Sequence, residues 1–536
     1  MDAFRRDLLK LAGTGLAGTV VAAVSGPGAY AQTAAMPAAG SAGVYDVRQY
    51  GAKGDGKTID SPAINKTIEE AAAAGGGTVR FPAGVYLSYS IRLKSNIALY
   101  FDQGAMLLAA GTSIEGTTAG YDPAGPPQPW EKYQDYGHNH WHNSLIWGED
   151  IHDFAILGPG LIWGKGLSRG ISDKDVPRAE KQGAGNKSIA LKNCHNVILR
   201  DFSILQGGHF GILATGVDNL TIDNLKIDTN RDGIDIDCCK NVRVSNCSVN
   251  SPWDDGICPK SSFALGYART TEHVTITNCY VTGGYQLGTM LDGTYKKHSP
   301  EFKVVPTGRI KCGTESNGGF KNITISNCVF DNCRGFALET VDGAILEDVT
   351  FVGITMRDIT NAPLFLRLGT RMRGPEGVPV GTLRRIIMSN IISHGAMAEL
   401  PSIISGVPGH PIEDVKISDV YFHQLGGGTK EMADLQPTEK DNDYPEPRNF
   451  GTLPAHGFYV RHVKNIDFTN VDIACEKPDV RSAFWLQDVD GADFFRIKAQ
   501  SAEHSVFKLQ NVKDFRVFGS RRIKDMTEEN IDVREF

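Results

Sequence analysis

One short phrase recurs along this chain and limits its fold more than any other feature. It is a polar residue, an aliphatic, a polar, an aliphatic, and often an asparagine. It reads NVILRD (196–201), NLTIDN (219–224), NVRVSN (241–246), HVTITN (273–278) and NITISN (322–327). It continues as DVTFVG (348–353), RIIMSN (385–390), DVKISD (414–419), NIDFTN (465–470) and DFRVFG (514–519), after a weaker early copy, DFAILG (153–158). Such alternation marks a half-buried strand. The closest copies lie 23 residues apart (Val197 to Leu220) and 22 apart (Leu220 to Val242). Gaps of 32 (Val242 to Val274) and 49 (Val274 to Ile323) read as the same period with loops inserted. Short strands repeating at this period predict an all-β fold, a right-handed parallel β-helix whose coils stack on one shared core. A β-propeller is the alternative, but its blades of about 40–50 residues do not suit the short intervals.

The repeat sets the expected organisation. Arg5-Arg6 precede a short apolar, Gly-rich run, and Ala29-Tyr30-Ala31 offers a small-x-small cleavage site. Residues 1–31 therefore read as a twin-arginine export signal, with a periplasmic or secreted product. Residues 32–43 read as a linker and 44–536 as one β-helix domain. No other stretch approaches the roughly 20 apolar residues of a membrane span. DSPAINKTIEEAAAAGGG (60–77) predicts a helix with Asp60 or Ser61 as N-cap and Pro62 at its first helical position, closing one end of the core. The polar residues 520–536 are expected over the other end. Of ten cysteines, Cys247, Cys279 and Cys328 share one context, each just after an asparagine, and predict an interior ladder rather than disulfides. No Cys/His spacing suits zinc, and no metal or cofactor is expected. A net charge of −7 argues against nucleic acid as a partner.

The chemistry is sought in NRDGIDIDCC (230–239) and PWDDGICPKS (252–261). Asp232 and Asp254 are 22 residues apart, the local coil interval, so they are expected at one place on successive coils. On a regular strand Asp254 and Asp255 would point to opposite faces. Either Asp255 is buried or a bulge or turn beside Gly256 turns both outward. Clustered carboxylates repel, which raises at least one pKa and keeps a proton available. A general acid and a general base are what cleavage of a glycosidic bond requires. Asp235 and Asp237 read as turn or ladder residues.

These segments, with Arg309-Ile310-Lys311, resemble glycoside hydrolase family 28, the polygalacturonases and rhamnogalacturonases. The hallmarks of that family are an NTD segment, a DD segment a coil later, a GHG segment on the next coil, and an RIK segment. YGAKGDGKTIDSPAINKTI (50–68) and GGTVRFPAGVYL (76–87) are similar to its N-terminal region. The resemblance implies an inverting glycosidase acting on α-linked galacturonic acid in an acidic plant polysaccharide. Asp254 would be the general acid, and Asp232 and Asp255 the bases that activate water. Arg309 and Lys311 would bind a uronate carboxylate, and Lys260 would line the cleft or tune Asp254. Arg231 replaces the usual threonine and adds a cation.

The GHG histidine is missing. The coil after DDG is expected in 282–295, where Tyr285 and Gln286 could supply the lost hydrogen bonds. Rhamnogalacturonan-cleaving relatives also lack that histidine, which favours rhamnogalacturonan or substituted galacturonan over plain homogalacturonan. His209, 23 residues before Asp232, is expected beneath the carboxylates as a subsite residue. His140, Trp141 and His142 form either a sugar platform or a packed loop. Glu339 is a weaker candidate, and Arg367, Arg371 and Arg373 either read an acidic branch or solvate a loop. Insertions at about 111–145, 165–188, 292–308, 370–381 and 424–456 predict tall walls and exo action. A calcium-dependent pectate-lyase-like enzyme and a non-catalytic carbohydrate-binding β-helix are the alternatives.

Overall fold

Alternating strands without helical partners must bury their apolar faces against one another, and here they do so by coiling. The computed structural model describes residues 43–112, 120–169, 178–297, 306–499 and 505–536. The predicted signal and nearly all of the linker lie outside these, as do 113–119, 170–177 and 298–305 of the insertions. Every copy of the phrase is a strand, and all stand in one ladder. Phe154, Val197, Leu220, Val242, Val274, Ile323, Val349, Ile386, Val415 and Ile466 are successive parallel partners, all buried. The fold is a parallel β-helix, with Ser41–Phe536 as one compact unit.

The marker asparagines have a conformational reason. Asn224, Asn246, Asn278, Asn327, Asn390 and Asn470 all adopt φ between 54° and 57°. Asparagine tolerates this left-handed region better than other side-chain-bearing residues. Its amide then bonds to the rung below: Asn246 donates to Asp223 at 2.8 Å, and Asn470 to Asp419 at 2.6 Å. Cys247, Cys279 and Cys328 follow at the same corner, buried in the core cluster as expected.

Helix α1 (Ser61–Ala73) covers the first coil with Ile64, Ile68 and Ala71 fully buried. Asp60 holds the cap position, but its carboxylate accepts from Lys53 N (2.6 Å) and Gly54 N (2.9 Å) rather than from the helix. At the far end, Met526–Glu535 pairs antiparallel with Phe507–Phe518 and covers the last open edge. No helix among the described residues is long and apolar enough to cross a membrane.

A second sheet carries the Asp-rich segments. It comprises β1 (Ile91–Arg92), β2 (Ser144–Glu149), β3 (Lys187–Lys192), β4 (Phe210–Thr215), β5 (Ile234–Asp237) and β6 (Ile257–Lys260), all parallel in that order. The short helix α2 (Tyr136–Asn139) precedes β2. Beyond β6 the rungs continue as β7 (Lys311–Cys312) and β8 (Phe336–Thr340). Three long rungs of the main ladder follow, β9 (Thr382–Ala396), β10 (Ile412–Gly426) and β11 (Ala455–Lys477).

Replacing Asn246 by alanine should cost about 1–2 kcal/mol, the left-handed penalty of an ordinary residue. Asn246→Gly should cost less, since it loses the side-chain bonds to Asp223 and Asn278 but not the left-handed conformation. Denaturant midpoints of the two variants check this ordering.

Candidate active site

The acids lie on turns, not on strands. Residues 229–233 and 251–256 are bends that deliver the chain into β5 and β6. Ile234 pairs with Ile257, an interval of 23, while Asp228 pairs with Asn250, an interval of 22. One residue is therefore gained in the second turn. Asp232 stacks beside Asp255, and Arg231 beside Asp254, which corrects the expected pairing of Asp232 with Asp254. The same turn resolves the Asp254–Asp255 question. Gly211, the second residue of β4, stacks with Gly233 and Gly256, which immediately precede β5 and β6, and a Cβ on Gly233 would sit 2.5 Å from the Gly256 carbonyl oxygen. This close approach explains why Asp232 and Asp255 are each followed by Gly-Ile.

The turns bring Asp232, Asp254 and Asp255 together, with one oxygen of each within 4.8 Å of the others. Asp255 is buried, not among hydrocarbon but between cations. Arg309 Nε donates to its Oδ1 at 2.9 Å, and Lys311 Nζ lies 2.5 Å from its Oδ2. Asp254, the most open of the three, takes Arg231 Nη2 at 2.8 Å. Asp232 is buried with one oxygen lacking a hydrogen-bond partner. Two of the three carboxylates thus carry a direct ion pair.

Behind them lies a second buried polar group that sequence reasoning passed over. Asp235 faces outward from β5 and is fully buried, with no hydrogen bond to either oxygen. Lys260 Nζ lies 3.6 Å from it and 3.3 Å from Glu315. His138, from α2, brings Nε2 to 3.8 Å from Asp235 and 3.9 Å from Glu315. Lys260 thus engages Asp235 and Glu315, and makes no direct pair with Asp254. Two clues pointed to this group: the strict outward alternation of Asp235 in IDID, and Glu315 four residues beyond Lys311.

The charges sort by surroundings. Burial, then the neighbouring Asp235 and Asp254, push the Asp232 carboxyl well above its usual range. Burial and the nearby acids also push Asp235 up to about 8. Burial alone would raise Asp255 too, but Lys311 and Arg309, helped by Lys260, outweigh it and hold that group far below the usual range. The site thus sets a carboxylate held low, Asp255, beside one pushed up, Asp232.

Residues 44–258 match the family described as rhamnogalacturonase A/epimerase, pectate lyase-like. A probable polygalacturonase of Vitis vinifera is 24% identical over 432 residues, 76% of this chain and 80% of that protein. An exo-poly-alpha-D-galacturonosidase of Dickeya chrysanthemi is 26% identical over 271 residues, 43% of each. The solved family 28 exopolygalacturonase of Yersinia enterocolitica has a TM-score of 0.59 at 18% identity, covering 84% of this chain and 78% of that one. A hyperthermoactive exopolygalacturonase from Thermotoga maritima gives 0.54 at 17% identity, covering 92% and 95%. The two structures share the fold. The chain is similar to the polygalacturonase-like glycoside hydrolases of family 28.

Against the family 28 pattern, the register moves one segment. Ile310 bridges to Ile257, so Gly308–Lys311 occupies the rung directly after DDG, where the pattern has its histidine segment. Arg309 stands on that rung, and the next one, β8, presents the buried Glu339, 3.7 Å from Arg309. Arg309 and Lys311 are both buried against Asp255, so their charges are already engaged and do not lie open to a uronate as expected. Residues 282–295 are instead an excursion, whose strand Tyr285–Leu287 pairs antiparallel with Lys296–Lys297. Tyr285 and Gln286 line a side cleft of about 160 Å³ with Asn230 and Trp253, flanking Arg231 and Asp254 rather than replacing the histidine.

His209 is nearby but one step off the expected position. The β4–β5 register sets Phe210 beside Asp232, and the His209 ring lies flat on Phe210 with centroids 4.3 Å apart. His140, Trp141 and His142 form a packed loop. Trp141 is buried and donates to Thr215 at 3.2 Å, and His142 pairs with Glu149 at 2.5 Å. Arg367 is buried on backbone carbonyls, and Arg371 pairs with Asp342 at 2.5 Å. The 424–456 insertion does reach the site: Tyr444 bonds to Thr314 at 2.9 Å, and Glu446 lies 4.0 Å from Arg309.

The buried Asp235 makes stability depend on pH. An acid whose folded pKa is raised keeps a proton that the unfolded chain has released. The folded state therefore loses stability as pH rises from the ordinary 3.8 to about 8. Asp235→Asn should be more stable than the parent at pH 8, with the gain shrinking towards pH 4. Denaturant titrations at both pH values measure it.

Proposed function

We infer that the protein is an exo-acting, inverting glycosidase that hydrolyses galacturonic acid-containing pectic polysaccharide, with rhamnogalacturonan or substituted galacturonan favoured over plain homogalacturonan. The observation that carries this is the convergence of Asp232, Asp254 and Asp255 within 4.8 Å beside Arg231, Arg309 and Lys311. Asp254, at the open mouth, is the general acid that protonates the leaving oxygen. Asp255, held ionised, and Asp232 serve the attacking water. Arg231, at the mouth on Asp254, meets the substrate carboxylate. When it moves to that carboxylate, Asp254 is left without its cation and is free to turn towards the leaving oxygen.

The carboxylate oxygens lie closer together than the roughly 6.5–9.5 Å usual for inverting enzymes. Inversion therefore requires Asp254 to swing outward as Arg231 leaves it, which its open position on a turn permits. Two observations favour exo action. Helix α2 brings His138 over the buried acids from one side, and the 424–456 insertion brings Tyr444 and Glu446 in from the other. The preference for a branched or mixed polymer rests on Arg309 standing on the histidine's rung. The lyase alternative fits less well, since both oxygens of Asp255 face cations.

Asp254→Asn should lower kcat by about 10²–10⁴-fold with oligosaccharide binding kept. Arg231→Thr should raise KM about 10- to 100-fold, the 1.5–3 kcal/mol of a hydrogen bond to a charged group. Digestion of a panel of pectic polymers should release only chain-end products, with the anomer read by NMR. An early ladder of oligomers would exclude exo action. Rising ultraviolet absorbance that a chelator abolishes would instead establish a lyase.

A further inference from the structure

On the outer face of the coil, away from the acids, β9, β10 and β11 are three successive rungs. Residues 391–394 and 420–426 alternate between core and surface, with Ile391 and Phe422 inside and His394 and His423 outside. The register makes His394 and His423 direct neighbours and places Ala474 beside His423. Alanine there leaves space over the rung, and Glu476, two residues on and on the same face, reaches back across it. Its Oε1 lies 3.8 Å from His394 Nε2. The two imidazoles meet edge to face with centroids 4.8 Å apart at 75°. His394 Nδ1 is shielded from solvent and has no hydrogen-bond partner. One ligand atom from each of the three residues lies within 4.8 Å of the others.

We propose that His394, His423 and Glu476 form a surface site for zinc or a similar divalent transition metal, bridging three rungs of the solenoid. Two imidazole nitrogens and one carboxylate oxygen suit such an ion, whereas calcium and magnesium favour all-oxygen shells. Around a tetrahedral zinc with bonds of about 2.0–2.2 Å, ligand atoms stand roughly 3.3 Å apart. The side chains therefore need to close by at most about 1.5 Å. The fourth position faces solvent and takes water. Arg357 precedes His394 on the ladder, and the nearby Asp358 pairs with Lys297 at 3.8 Å. The acid facing the ion is therefore Glu476. Bound metal joins rungs that are otherwise linked by backbone bonds and core packing, and so raises the resistance of this region to unfolding. The site does not depend on the hydrolase reading, because none of its residues belongs to the catalytic cluster.

The test uses the untagged full-length enzyme after chelator treatment and dialysis. Zinc titration by calorimetry should show one site, and zinc should raise the thermal midpoint while millimolar calcium or magnesium leaves it unchanged. Cobalt should give the intense visible bands of a four-coordinate ion. His423→Ala and Glu476→Gln, both on the surface, should keep the metal-free midpoint of the parent and bind zinc at least tenfold more weakly. No binding at stoichiometric zinc, or equal binding by parent and variants, would overturn the proposal.

Discussion

Rungs about 4.8 Å apart leave no freedom to hide a charge from its counterpart on the next coil. Every side chain on a parallel β-helix has a neighbour directly above and below, so each column must be compatible with itself. Inside, the columns are aliphatic and aromatic. At the corners they are asparagines held in the left-handed region and bonded down the stack. At the site the column is acidic, and two like charges about 4 Å apart repel by about 4 kcal/mol even at an effective dielectric of 20. The structure resolves this carboxylate by carboxylate. Asp255 receives Arg309 and Lys311 from the next rung, and Asp254 receives Arg231 from the rung of Asp232. Asp232 makes no direct ion pair, and burial with its acidic neighbours pushes its carboxyl up. The differences among the three aspartates thus follow from where the cations are anchored.

That anchoring gives the cations a structural role. Removing Asp255 would leave Arg309 and Lys311 buried without their main partner, a situation that costs about 3–5 kcal/mol in general. Removing Asp254 frees only a partly exposed arginine. The same cluster therefore combines a rigid half, Asp255 with its clamp, and a movable half, Asp254 with Arg231. In the proposed reaction that asymmetry is used, with Asp255 as the base held ready and Asp254 as the acid that follows the leaving oxygen.

The fold was legible because its signal is additive. Ten or more copies of one alternating phrase outweigh any local ambiguity, and Val197, Leu220 and Val242 fall into register at the intervals read from sequence. The convergence of Asp232, Asp254 and Asp255 was legible too, since Gly233 and Gly256 punctuate them. The register at the site was not. Intervals measured on one sheet do not carry to another when the turn between them gains a residue, and that single residue moved Asp232 from Asp254 to Asp255. Insertions hid more. The excursion after Thr282 made 282–295 look like a rung and displaced Arg309–Lys311 by one coil in the reading. Asp235 was misjudged for another reason. An outward aspartate on a strand looks solvated unless the loop that buries it is known, and α2 lies about a hundred residues earlier.

The two departures from the family pattern then read as one compensation. Placing Arg309 on the rung of the usual histidine puts a permanent charge on Asp255, where an imidazole would have left its ionisation adjustable. Arg309 and Lys311 are thereby withdrawn from the mouth of the cleft. A cation is still needed there if the substrate is anionic, and Arg231, in place of threonine, supplies it beside Asp254. Each change alone would weaken the site. Arg309 alone would leave the mouth without this cation, and Arg231 alone would add a charge to a groove where Arg309 and Lys311 were already open to substrate. Together they leave Asp255 with the buried cations and give Asp254 the cation at the mouth.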